Sequence, residues 1–207
     1  MAREGLSGKK IGTIGDVVYY VRNGKQCMRR KPKHQKNPNT QKQRACRSHF
    51  AQVSQLASAL LPAAKVGLRK AAMRGKISEY NMFTKLNSKV VKAEGIDYSK
   101  IVVSKGNEVL PVSFGKPELS KKGKLQVPFE SREASEGSRD NGVVFVAALC
   151  PEKGECRLSE AVPCEAGTVR LQVPAGWVKQ KMHLYGFVRI KGLKTSDSVY
   201  IPLEQEL

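Results

Sequence analysis

The hydrophobic period of this chain changes near residue 100, and that change limits the folds open to it. Before it, apolar residues recur at helical spacing. Ala45, Phe50, Val53, Leu56, Ala57, Leu60 and Leu61 fall close to one face of a helix over 41–61. Pro62 and Gly67 mark a break, after which AAKVGLRKAAMRGK (63–76) reads as a second helical piece. Residues 77–93 read as a third, with Ile77, Tyr80, Phe83 and Leu86 three apart. From Ile101 the period is two. IVVS (101–104), VLPVSF (109–114), LQVPF (125–129), GVVFVAALC (142–150), TVRLQVP (168–174), MHLYGFVRIK (182–191) and SVYIPL (198–203) are strand candidates. Gly, Pro, Asn and Asp clusters separate them, the pattern of an antiparallel sandwich. ESREASEGSRDNG (130–142) reads as a polar, flexible loop.

The N-terminal segment differs from both. Val17–Val21 is β-branched and aromatic, and Asn23-Gly24 follows it as a turn dipeptide. Both central positions of a two-residue hairpin turn need positive φ, which Asn and Gly tolerate. A short hairpin is predicted, with Gln26–Arg30 as the return strand and Arg22 and Lys25 flanking the turn. KPKHQKNPNTQKQR (31–44) contains Pro32 and Pro38 and no apolar anchor, so it reads as an extended basic linker. Asn39 or Thr40 is a candidate helix cap, with Gln43 three residues after Thr40. The expected class is therefore α+β. A Gly-rich basic arm with hairpin and linker occupies 1–38, a helical region 39–98, and an immunoglobulin-like antiparallel β-sandwich 99–207.

Charge points to a partner. From Val17 to Ser78 there is no Asp or Glu, while fifteen Lys and Arg residues fall in the same stretch. The net charge of +19 is concentrated in the first half: residues 1–100 hold 22 basic and 5 acidic residues, and the remainder is nearly balanced. A run of one sign repels itself unless a polyanion neutralises it. An isolated basic run can be a solvated tail; a run this long favours nucleic acid, DNA or RNA. Arg22, Lys25, Arg29, Arg30, Lys31, Lys33, Lys36, Lys42, Arg44 and Arg47 are the candidate contacts. Tyr19, Tyr20 and His34 are positioned to add stacking. No zinc finger, ribonucleoprotein signature or zipper is present, so the expected contact is to the backbone with little base selectivity.

The remaining chemistry is thin. GLSGKKIGTIG (5–15) lacks the strand before it and the Lys-Ser/Thr end that a phosphate loop needs, and reads as a flexible or tucked arm. Cys150, Cys156 and Cys164 are too widely spaced for a structural zinc pair. Cys150 ends an apolar strand and reads as a small hydrophobe. Five cysteines and no secretory signal fit reduced thiols in the cytoplasm. No segment approaches the roughly 18 apolar residues of a membrane span. His34, His49 and His183 form no evident nucleophile or metal pattern. The expectation is a non-enzyme without cofactor or metal. The competing expectation is an assembly protein, such as part of a phage particle, whose arm threads between subunits. In either case the sandwich is free to meet a protein partner. An anionic-membrane binder ranks last, for want of an amphipathic basic helix. Trp177 is expected to pack at the edge of the sandwich.

Gly5, Ser7, Gly8, Lys9, Tyr20, Arg22, Gly24, Lys25, Arg30, Lys31, Pro32, Asn37, Pro38, Thr40, Gln43, Arg47 and Phe50 form a pattern. With Ser104-Lys105-Gly106 and the later VPAGW, HLYGFVRI and SDSVYIPL, it resembles an uncharacterised family of small basic proteins from Bacteroidota. The resemblance fades at 115–142. It implies a Bacteroidota or associated-phage source and a sandwich-like C-terminal domain, and it transfers no catalytic residue.

Overall fold

The computed structural model describes the backbone of residues 3–4 and residues 8–33, 38–92, 94–108, 110–131, 142–190 and 193–204. Lys36, His34 and most of the 130–142 loop lie outside the described residues. The chain divides into two compact units, Met1–Gln41 and Lys42–Leu207.

The first unit is an antiparallel sheet of Arg3–Glu4, Lys10–Ile14, Val17–Arg22 and Lys25–Arg30, in that spatial order. The predicted hairpin is present. Arg22 pairs with Lys25, and the turn residues Asn23 and Gly24 have φ of 50° and 76°. The arm is a correction. Lys10–Ile14 is a strand, not a loose segment, and pairs with Val17–Tyr19. Gly15, at φ 54°, opens the two-residue turn between them.

The second unit begins with four helices: α1 (Gln41–Ala59, its first residue shared with the boundary), α2 (Leu61–Gly67), α3 (Arg69–Gly75) and α4 (Glu79–Asn87). Pro62 starts α2 rather than merely ending α1, because a first-turn position needs no N–H donor. Lys76 closes α3 in the left-handed region, and Ser78 caps α4 by accepting from the Asn81 N–H at 3.2 Å. The helix expected to reach residue 93 stops at Asn87. The β-branched Val91 instead pairs with Ile96 in a two-stranded ribbon.

Two antiparallel sheets follow. The larger is centred on Val143–Cys150 and His183–Ile190, flanked by Glu155–Leu158, Val162–Pro163, Lys194–Thr195 and Val199–Ile201. The smaller holds Val112–Phe114, Glu118–Leu119, Lys124–Ser131 and Thr168–Gln172. Ile101–Ser104, read as a strand, is not one. Ile101 and Val103 are buried on an irregular path, where side chains take two of the backbone donors: the Val102 N–H donates to Asn87 and the Val103 N–H to Ser198.

The sandwich has a third layer. Val144, Val146, Ala148 and Cys150 face the smaller sheet, against Leu125, Val127, Phe129 and Val169. Phe145, Ala147 and Leu149 face the opposite way, onto Leu56, Leu60, Ala64, Leu68 and Phe83 of the helices. A strand buried on both faces must be apolar at every position, which is why VVFVAALC shows no alternation. The order is helices, large sheet, small sheet.

Candidate nucleic-acid interface

Among the described residues, the first unit has no buried core. None of residues 8–33 is fully buried; Val17, Val18, Tyr19, Tyr20 and Cys27 are partly buried. Register assigns its side chains to two faces, because alternate residues of a strand point oppositely. Val18 pairs with Arg29, Tyr20 with Cys27 and Arg22 with Lys25, and Thr13 pairs with Val18. Those residues share one face. Val17 with Arg30, Tyr19 with Met28, and Val21 with Gln26 share the other, together with Gly12 and Ile14.

The faces differ in chemistry. The first carries Arg22, Lys25 and Arg29 around Tyr20. The second is mostly apolar, with Met28 71% exposed and Ile14 50% exposed. Strand geometry therefore separates Arg29 from Arg30, adjacent in the sequence run. Extended three residues past its last pair, Gly12 with Tyr19, the ladder places Lys9 beside Arg22, and the Lys9 ammonium donates to the Gly24 carbonyl at the hairpin tip. Lys9, just before the first of these strands, thus extends the row of Arg22 and Lys25. Sequence reasoning missed Lys9, which stands thirteen residues before Arg22; the signal was the strand pairing hidden in a Gly-rich segment.

Lys31 and Lys33 lie at the opposite end. The Lys31 N–H donates to the Asp16 carbonyl at 2.6 Å, and the Lys33 ammonium is 3.6 Å from the Asp16 carboxylate, both well exposed. An ion pair so exposed contributes little stability, and it partly neutralises Lys33.

In the second unit, Gln41–Ser48 of α1 is exposed on every side. Ala45 and Phe50, expected on the buried face, are exposed, Phe50 at 59%. Burial begins with His49, whose Nε2 is 2.8 Å from the Ser88 carbonyl oxygen, and with Val53. Arg44 and Arg47, three apart, share a side of these two turns, while Lys42 lies on another. No acid stands in the first turn of α1, so these cations oppose the helix dipole.

Of the other candidates, Cys150 is buried between the sheets, with its thiol 3.1 Å from Gln180 Oε1. Burial pushes the Cys156 thiol up to about 12, so it stays protonated. Among the described residues no group of three or more His, Cys, Asp or Glu is placed to hold a metal ion. Nor, among them, is any helix long and apolar enough to cross a membrane.

The sequence matches the family of unknown function DUF6266 over residues 8–202. The chain belongs to that family. The match takes in both units and nearly all of the interface residues described above. No curated protein and no solved structure matches the chain. Within the DUF6266 chain, the positions of the N-terminal pattern fall on both sheet faces: Tyr20, Arg22 and Lys25 on the cationic one, Arg30 on the apolar one.

Proposed function

We propose that this DUF6266 protein is a non-enzymatic nucleic-acid-binding protein that holds the phosphate backbone with little sequence selectivity. The observation that supports the reading is the cationic sheet face. Lys9, Arg22, Lys25 and Arg29 lie around a partly buried Tyr20 on a sheet with no fully buried side chain among the described residues. Such a sheet is marginal alone, and a polyanion would relieve its repulsion while the tyrosine stacks on an unpaired base. Lys42, Arg44 and Arg47 on the exposed turns of α1 add a second set of phosphate contacts. The reading places the protein in the cytoplasm of a Bacteroidota cell or an associated phage.

Binding of duplex DNA and structured RNA followed against salt tests it. Affinity should fall steeply with salt, with a slope of about 0.9 per neutralised duplex phosphate. Charge reversal at Arg22, Lys25 and Arg29 should abolish most of it. Absence of binding to either nucleic acid at about 50 mM salt overturns the proposal.

A second reading rests on the other face. Ile14, Val21 and Met28 are exposed together on it, as an assembly protein requires when its arm is covered by a neighbouring subunit. That reading predicts large, salt-resistant homo-oligomers by light scattering, and a monomer at all concentrations counts against it.

A further inference from the structure

Within the second unit, a small cleft gathers four cations from segments far apart in sequence. It is lined by Lys70 and Arg74 of α3, Lys105 and Gly106, and Lys194 beside Thr195. Lys70 and Arg74 are four residues apart, one turn on a single helix face. Glu108 is the acid in the lining, and its carboxylate is 3.9 Å from the Lys194 ammonium. Lys105 pairs with Asp197 at 2.6 Å. Among the described residues no carboxylate lies within salt-bridge distance of Lys70 or Arg74.

The floor of the cleft is firmly built. Ser104, fully buried, donates to the carbonyls of Ser196 at 2.6 Å and Gly67 at 3.2 Å. Thr195 donates to Gly67 at 3.3 Å, and the Gly106 N–H donates to Asp197 at 3.0 Å. A Cβ on Gly106 would stand 1.5 Å from the Thr195 carbonyl oxygen, so the two backbones meet where no side chain fits. These bonds hold the 104–106 and 194–197 segments together where they line the cleft with α3's two cations. Two of the four cations are paired with carboxylates, and Lys70 and Arg74 leave the cleft net positive.

We propose that this cleft is an anion site that takes one phosphate group. Its volume of about 190 Å³ is below the roughly 300–1,000 Å³ of pockets that enclose drug-sized ligands. It suits a single tetrahedral anion held at the mouth by Lys70, Arg74 and Lys194. If the nucleic-acid reading above holds, the phosphate is one of the backbone, and the second unit contributes its own contact; otherwise it is a free phosphate.

The test uses the full chain, isotopically labelled, titrated with inorganic phosphate at constant ionic strength. Saturable amide shifts at Lys70, Arg74, Lys105, Gly106 and Thr195 are expected, and loss of saturation in the Lys70→Ala, Arg74→Ala double variant. Both substitutions favour the helix, so the variant should fold, and Lys194→Ala is an independent second test. Absence of saturable shifts at these amides in the wild-type chain overturns the site. Duplex DNA distinguishes the source. A salt slope flattened by about one in the double variant supports a backbone phosphate. An unchanged slope with phosphate shifts intact overturns that source and supports a free phosphate. Arg29→Glu should lower DNA affinity while leaving the phosphate shifts unaltered, so failure of the sheet face and failure of the cleft are read separately.

Discussion

Arg22 stands directly opposite Lys25, the last pair of the hairpin ladder before the Asn23-Gly24 turn. Like charges in that position repel and destabilise a sheet by about 0.2–1 kcal/mol. The row is extended by Lys9, whose ammonium reaches the Gly24 carbonyl. Stability and binding should therefore move in opposite directions on charge reversal. Lys25→Glu is expected to slow amide exchange of Val17–Arg22 and, in the same protein, to weaken nucleic-acid binding. Faster exchange, or unchanged affinity, would contradict the arrangement.

Gly106 tests the base of the cationic cleft. Its added Cβ would collide with backbone, 1.5 Å from the Thr195 oxygen, while a Cβ on Gly176 meets nothing within 4 Å. Overpacking costs typically about 1–3 kcal/mol and more where backbone must move. Gly106→Ala should lower the unfolding free energy of the second unit in urea by at least that much, and Gly176→Ala should leave it nearly unchanged. Equal effects of the two would show that the close approach is not rigid.

Much of this layout is written in local chemistry. Asn23-Gly24 announces its hairpin because only such residues adopt positive φ at both turn positions, and Val53, Leu56 and Leu60 announce the buried face of α1 by their spacing. Other parts have no local signature. Lys10–Ile14 is interrupted by Gly12, so its pairing depends on Val17–Tyr19 rather than on its own alternation. Val143–Cys150 reads as a strand, but that its Phe145 side is covered by helices follows only from tertiary packing. Lys70 and Arg74 meet Lys105 and Lys194 because the sheet topology brings 104–106 against 194–197, a relation no spacing rule contains. The basic run in turn looks uniform in sequence, yet strand alternation sends Arg29 and Arg30 to opposite faces.

His183 gives the second unit an acid sensitivity. Its Nδ1 is 2.9 Å from the Tyr200 hydroxyl, and its ring stacks on Tyr98 with centroids 4.2 Å apart. Burial, with a smaller contribution from Lys181, holds its pKa down to about 4, against about 6.5 in an unfolded chain. As pH falls from 6.5 towards 4 the unfolded state takes up the proton first, so this group's contribution to stability is lost across that window and loses no more below it. The imidazole should titrate by NMR near pH 4. His183→Phe, which keeps the stacked ring, should flatten the decline of Tm between pH 6.5 and 4 relative to the wild type. A midpoint near 6.5 would show that the ring is solvated.

Trp177 offers a clean optical probe of the sandwich. It is the chain's single tryptophan, in the short helical turn Ala175–Trp177. It packs in the core between the two sheets and is 2% exposed. Its emission in the folded protein should be blue-shifted and resistant to iodide, and should move red only as the second unit unfolds. Because the ring is enclosed, nucleic acid bound at the N-terminal sheet should not quench it, so fluorescence and binding are independent readouts. Truncation of a buried tryptophan typically costs about 3–5 kcal/mol, and Trp177→Ala should lower the urea midpoint accordingly, while Trp177→Phe retains a larger share of the packing. Iodide quenching in the native state, or a midpoint unmoved by the alanine variant, would remove Trp177 from the core and reopen it as a contact surface.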